Sequence, residues 1–157
     1  MQIRLAEEED IDQLIRMRWD FHNEYSECRI GEDSYGLFYT DCKTFLTEAL
    51  RSRRWFIWVA VTEGRIASHI YLERIDKVPR PGRRSNSFAY MTNVYTLPEW
   101  RREGIGSRLL NAIELWSKEQ GHEFIIVWPS EWSRSFYERN GYLQCKEPME
   151  IMLELDT

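Results

Sequence analysis

The stretch from Thr96 to Ser107 constrains this chain most. Phe88–Thr96 is rich in β-forming residues and reads as a strand, which Pro98 ends because proline cannot donate to a ladder. Gly104–Gln120 then reads as a helix, with Ile105, Leu109, Ile113 and Trp116 recurring on one face. Between them lie Arg101, Arg102, Glu103, Gly104, Ile105, Gly106 and Ser107. N–H groups in the first turn of a helix have no internal acceptors, and the helix dipole favours an anion beyond them. Two glycines let an anion approach the backbone, and two arginines add charge. The segment is a candidate anion site by its physics alone.

Three phosphate motifs compete for it. A P-loop needs Gly-Lys-Ser/Thr, whereas this chain has Gly106, Ser107 and Arg108. A dinucleotide fingerprint needs a third glycine where Leu109 stands, and an N-terminal βαβ unit that is absent here. The third pattern, Arg/Gln-x-x-Gly-x-Gly/Ala at a strand-to-helix junction, is matched by Arg101 through Gly106.

The rest of the chain frames that junction. Gln2–Leu5 reads as a strand, and Glu7–Asp10 as an acidic helix start leading into Ile11, Leu14, Ile15 and Trp19 at helical spacing. Leu37–Arg51 reads as a second helix, with Phe38, Cys42, Phe45, Leu46 and Leu50 as its apolar stripe. Trp55–Thr62 and Ile66–Ile75 form a hairpin about Glu63 and Gly64, followed by a loop over Asp76–Ser87. Phe124–Trp128 is short and wholly apolar, the pattern of a buried central strand. Trp132–Arg139 reads as a short helix, and Tyr142–Cys145 and Met149–Leu155 as closing strands. The result is a mixed α/β domain over residues 1–157, with about seven strands and about four helices. Its one crossover, from strand 88–96 through helix 104–120 to strand 124–128, should be parallel and right-handed.

Composition narrows the partners. With 43% hydrophobic and 30% charged residues, 157 positions suit a globular domain with one core. A net charge of −5 supplies no basic face for nucleic acid. Cys28, Cys42 and Cys145 are odd in number and widely spaced, so neither a disulfide framework nor a metal cluster is expected. The N-terminus lacks a signal-peptide pattern and no apolar run reaches membrane-spanning length, so the expected location is cytoplasmic, without a membrane partner.

A second stretch follows the apolar strand: Ser130, Glu131, Trp132, Ser133, Arg134, Ser135, Phe136, Tyr137, then Asn140, Gly141 and Tyr142. Together with Arg101–Gly106, in this order and frame, it resembles the GNAT (GCN5-related N-acetyltransferase) superfamily. The resemblance is specific in the C-terminal half and extends to the N-terminal half by element order only. It implies the GNAT fold, a central twisted mixed sheet in which strands 88–96 and 124–128 splay apart. It also implies acetyl-CoA as cosubstrate, with the pantetheine arm entering that gap beside Val94, Tyr95 and Thr96. The diphosphate would sit on Arg101, Arg102, Glu103, Gly104, Ile105, Gly106 and Ser107, with Ser130, Ser133 and Tyr137 as further contacts. Relatives often carry Asn where Ser130 stands; a serine hydroxyl has shorter reach.

The implied reaction is direct attack of a primary amine, on a small molecule or peptide, upon the acetyl thioester. By resemblance Tyr137 is the acid that protonates the leaving thiolate; a tyrosine with an ordinary pKa of about 10 is protonated at neutral pH. Some relatives carry a carboxylate on the strand before the loop, but Phe88–Asn93 has none. Glu73 ranks first as base, with His69 or water as alternatives. The acceptor pocket is expected over Trp19, Phe21, His22, Glu24, Tyr25, Glu27, Glu32, Asp33 and Tyr35, where aromatics and acids could cage a cation or form a solvated acidic loop. The basic loop Lys77–Arg84 could meet an anionic group instead, or simply be solvated, as loop charges usually are. A non-catalytic acyl-CoA-binding module and a longer acyl donor are competing readings. A homodimer is an option by analogy, with Met149–Leu155 as an edge.

Overall fold

The structure is a computed structural model, and it describes residues 1–84 and 86–153. In chain order the elements are β1 (Gln2–Leu5), α1 (Ile11–Tyr25), α2 (Tyr35–Arg51), β2 (Trp55–Thr62), β3 (Arg65–Asp76), β4 (Ser87–Thr96), α3 (Ile105–Glu119), β5 (Ile125–Val127) and α4 (Arg134–Arg139). The strands form one sheet in the order β1-β2-β3-β4-β5. Its first three junctions are antiparallel, and β4 runs parallel to β5 as the crossover requires.

Side-chain period decides the layering. Along β2, Ile57 and Val59 face one way and Ala60 the other. The first face packs on α1 and α2 through Leu14, Ile15 and Leu46. The second packs on α3 through Ile105, Leu109, Leu110 and Ile113, and on Tyr137 of α4. β3 lies between both layers, and every residue from Ile66 to Leu72 is buried. Leu14, Leu46, Leu109 and Leu110 are wholly buried, so truncating any of them to alanine would cost about 2–5 kcal/mol.

Three expectations from the sequence change. The described residues contain five strands rather than about seven. Tyr142–Cys145 is not a strand, and neither is the described part of Met149–Leu155, whose last two residues lie outside the described residues. In consequence β5 is the sheet's edge, half-buried rather than central: its apolar run satisfies one packed face, while the flanking Phe124 and Trp128 stay 45% and 62% exposed. The loop expected over Asp76–Ser87 spans 77–86, of which residue 85 lies outside the described residues.

Candidate active site

The site starts from a fault in the sheet. β4 and β5 pair only from Ala89↔Ile125 to Met91↔Val127. β5 then stops, while β4 continues to Thr96. On its other edge β4 pairs Thr92 with Tyr71 and Tyr95 with His69, so Asn93 and Val94 share a position opposite Ile70. Such a bulge adds twist and turns the strand away from its neighbour. Asn93 takes φ 47° there, a left-handed conformation that asparagine tolerates better than most residues. Its carbonyl is 2.8 Å from His69 Nδ1. The splay opens a cleft of about 1050 Å³.

The loop at the foot of this cleft is held open by backbone geometry. Arg102 has φ 65° and Gly104 φ 73°. A Cβ on Gly104 would meet nothing within 4 Å, so glycine serves the left-handed turn there rather than a close contact. Arg108 is the first residue after the turn whose N–H finds a backbone carbonyl, that of Gly104 at 3.1 Å. From Arg102 through Ser107 no N–H donates to a backbone carbonyl among the described residues. Gly106 serves packing instead, since a Cβ there would lie 3.3 Å from the Phe136 ring; its bareness lets α3 start against α4.

Of the residues expected to hold the cofactor, Val94, Tyr95, Thr96, Arg101, Arg102, Gly104, Ile105, Gly106, Ser107, Ser130, Ser133 and Tyr137 all line the cleft. Glu103 does not; its carbonyl accepts a bond from Arg108 at 3.2 Å. Arg101 lines the cleft, but its charge is committed elsewhere. Its terminal nitrogens donate to Glu24 on α1 at 2.6 and 2.8 Å, and its Nε donates to the Thr96 carbonyl at 2.9 Å. The Thr96 carbonyl therefore already has a partner. Tyr95 donates its hydroxyl to the same Glu24 at 2.8 Å and stacks on Phe21. Ser130 and Ser133 bond each other, Oγ to Oγ, at 2.8 Å.

Tyr137 is placed by the end of α4. The Gly141 N–H donates to the Glu138 carbonyl and the Tyr142 N–H to the Tyr137 carbonyl, at 3.1 and 3.0 Å. This closure needs the left-handed Gly141, at φ 87°. The Tyr137 ring is 5% exposed, and burial pushes its hydroxyl pKa up to about 12. Among the described residues no hydrogen bond occupies that hydroxyl.

The base candidates fare differently. His69 is wholly buried, and burial lowers its pKa to about 4. It is neutral at physiological pH; donation to the Asn93 carbonyl assigns its proton to Nδ1 and leaves Nε2 buried without a partner. Glu73 forms an ion pair with Arg54 and is not among the residues lining the cleft.

Most of the residues expected at the acceptor pocket do not line the cleft. Only Phe21 and Tyr25 of the expected set line the cleft. Trp19 is a core residue, packed on Tyr35 and Phe38, and Glu32 pairs with Arg16. In the basic loop, Lys77 and Arg80 are both paired with Glu123. Arg18, Phe38, Asp41, Cys42, Phe45, Trp55, Tyr71 and Tyr90, none of them in the expected set, line the cleft instead. The available signal was the stripe Phe38, Cys42, Phe45, which reads as core by period alone; Phe45 is in fact 40% exposed. Among the described residues no three His, Cys, Asp or Glu come together to hold a metal, and no helix is long and apolar enough to cross a membrane.

The splayed sheet and the loop from Arg102 to Ser107, whose N–H groups meet no backbone carbonyl among the described residues, share one cleft. The model of the Acetyltransferase (GNAT) family matches residues 14–142, and the chain belongs to that family, whose acyl donor is acetyl-CoA. Solved structures of the same fold include a predicted acetyltransferase from Clostridium acetobutylicum with acetyl-CoA, 23% identical, covering 96% of this chain and 95% of that one at a TM-score of 0.77. A GCN5-related N-acetyltransferase from Ralstonia eutropha is 23% identical over 96% of this chain and 97% of its own, with a TM-score of 0.75. An aminoglycoside acetyltransferase from an uncultured soil metagenomic sample, in complex with trehalose, is 19% identical over 99% and 96%, with a TM-score of 0.74. No curated protein sequence matches the chain.

Proposed function

We propose that this chain is an N-acetyltransferase that moves an acetyl group from acetyl-CoA to a primary amine by direct attack. The observation that carries the reading is that the N–H groups from Arg102 to Ser107 and the Tyr137 hydroxyl have no hydrogen-bond partner among the described residues, and that Arg102, Gly104–Ser107 and Tyr137 line one cleft. Those N–H groups fit a diphosphate, with Arg102 and the dipole of α3 adding attraction. The unpaired edge of β4 beyond Met91 offers main-chain groups to an extended amide-bearing arm.

When bound, acetyl-CoA supplies an acyl group activated as a thioester. The chain's own residues do the rest. The bulge at Asn93 and Val94 turns main-chain groups of β4 toward the gap, where an N–H can stabilise a developing oxyanion. Tyr137 keeps its proton up to strongly alkaline pH and donates it as the carbon–sulfur bond breaks. The amine reacts as its free base, having released one proton to bulk solvent before attack; the proton it loses as the amide forms restores the Tyr137 hydroxyl. His69, at a pKa of about 4, sits some six units below an ordinary alkylammonium, which puts direct transfer uphill by about 8 kcal/mol. Glu73 is held by Arg54 and lies off the cleft lining, so it reaches the amine only through water.

The test is thiol release from acetyl-CoA with a panel of amines: amino acids, peptide N-termini, polyamines and aminoglycosides. It is accompanied by calorimetry with CoA alone. Release with at least one amine class, and heat with CoA, is expected. Absence of CoA heat would overturn the reading; heat without release on any amine would leave only a binding module.

A further inference from the structure

We propose that the part of the cleft lined by Arg18, Phe38, Phe45, Trp55 and Tyr71 is its acceptor arm and a carboxylate site: Arg18 receives a carboxylate carried by an amine acceptor whose body is apolar or aromatic. For the amine this rests on the acetyltransferase reading above; for the anion it does not.

Arg18, Phe21 and Tyr25 are spaced i, i+3, i+7 on α1 and form one stripe, all of it facing the cleft. Glu24 is six positions beyond Arg18, about 9 Å along the helix axis. Glu24 marks the end of α1 that touches the diphosphate loop through Arg101, so Arg18 lies toward the opposite arm. Its charge is felt there: it opposes the rise that burial imposes on the Cys42 thiol and the Tyr71 hydroxyl.

Arg18 is half-buried, and its guanidinium lies 5.4 Å from the centre of the Phe21 ring. Among the described residues no carboxylate or carbonyl accepts a bond from it. The contrast with its neighbours is sharp. Arg16, two positions earlier on the same helix, is forked onto Glu32 at 3.0 and 2.8 Å; Arg101 is forked onto Glu24; Arg54 is paired with Glu73. A guanidinium is a planar fork that matches a carboxylate bidentately. One left unmatched against aromatic walls, partly removed from water, is poised for a carboxylate brought by a ligand.

The surroundings choose the ligand's body and sign. Phe45 and Trp55 meet edge-to-face at 5.2 Å, and with Phe38 and Tyr71 they give the arm an apolar wall. Asp41 is the one acid that lines the cleft among the described residues, and it is exposed. The chain is acidic overall, at −5, yet this cleft is lined by arginines, so a polycation would meet repulsion at Arg18. A single guanidinium balances a single carboxylate; a phosphate dianion would leave charge uncompensated beside the aromatic wall.

The proposal is tested by binding first. 3-Phenylpropionate and 3-phenylpropionamide are titrated, in the presence of saturating CoA, into wild type, Arg18→Gln and Arg18→Lys, with calorimetry and thermal shift as readouts. The wild type should bind the carboxylate at least tenfold more tightly than the amide. Arg18→Gln should erase that preference, a loss of roughly tenfold to a hundredfold as charge-assisted hydrogen bonds allow, and Arg18→Lys should restore part of it. A wild type without the preference, or Arg18→Gln retaining it, overturns the proposal. Should Arg18→Gln not fold, an Arg18→Lys protein whose preference is undiminished, and so independent of bidentate pairing, does the same. In turnover, phenylalanine should exceed phenylalaninamide in kcat/KM for thiol release from acetyl-CoA, and Arg18→Gln should level the two; the reverse order in wild type counts against the site. If neither amine releases thiol while 3-phenylpropionate still binds through Arg18, the acetyltransferase reading falls and the carboxylate site stands.

Discussion

Arg101 grips Glu24 with both terminal nitrogens, at 2.6 and 2.8 Å, and so ties the anion loop to the last turn of α1. The pair holds the Glu24 carboxyl below its ordinary range, chiefly through the Arg101 hydrogen bonds, with the Tyr95 hydroxyl assisting. A loop whose N–H groups face a ligand must be fixed by something other than those groups, and this pair fixes it.

Glu24→Gln and Arg101→Gln should each destabilise the protein by about 1 kcal/mol near neutral pH, discounted because both side chains reach solvent. The double variant should cost less than the sum. Because the folded-state pKa of Glu24 is depressed, its contribution is full above the unfolded value and fades as pH falls through the folded one. Urea unfolding at pH 7 and below pH 4 checks this. CoA affinity provides a second check: Glu24→Gln should weaken it by loosening the loop, whereas a tightening would mean that Arg101, once freed, is a direct phosphate ligand.

Tyr137→Phe should lower kcat about 10²-fold or more while leaving the dissociation constant for CoA within a few-fold. With its hydroxyl pushed up to about 12, Tyr137 stays protonated through the assay range. A wild-type rate that falls on titration of a group below pH 11 would belong to another residue. Single-turnover rates across pH, alongside calorimetry with CoA, separate the two effects.

Arg102 and Gly104 share a left-handed backbone but not a tolerance for it. Gly104→Ala should cost about 1–2 kcal/mol, because alanine at φ 73° is strained even where its methyl has space. Arg102→Gly should do the reverse, gaining a few tenths of a kcal/mol to about 1 kcal/mol by relieving strain, while weakening CoA binding through loss of a cleft charge. Melting temperature and CoA affinity moving in opposite directions for Arg102→Gly is the diagnostic result.

His69 makes stability depend on pH in the acid range. It stays neutral in the folded protein down to a pKa of about 4, whereas in the unfolded chain it titrates near 6.5. Between those values the unfolded state binds more protons, so stability rises with pH across that window, by roughly 3 kcal/mol in all. His69→Gln should flatten this part of the profile, measured as urea midpoints at pH 4.5, 5.5 and 7. An unchanged slope would mean that His69 takes up its proton in the folded state as readily as in the unfolded one.

The anion loop, the short helix with Tyr137 and the crossover between them were legible in the sequence because each is dictated within a few residues. A proline ends a strand, glycines at positions 104 and 141 permit left-handed turns, and a helix start leaves N–H groups free. The expected closing strands do not form among the described residues, because an alternating pattern such as that of Met149–Leu155 permits pairing without dictating it. The part of the cleft wall that α2 supplies was not legible, because Phe38, Cys42 and Phe45 have the same helical period whether they face a core or a cleft.

What the sequence determined by itself is therefore the backbone chemistry of the cleft. Only the tertiary structure decided which charges in it are free. Arg101 is matched by a carboxylate 77 positions away, while Arg18, which no motif marks, has none among the described residues. Local conformation is set by neighbours along the chain, but the charge a ligand meets is set by pairings through space.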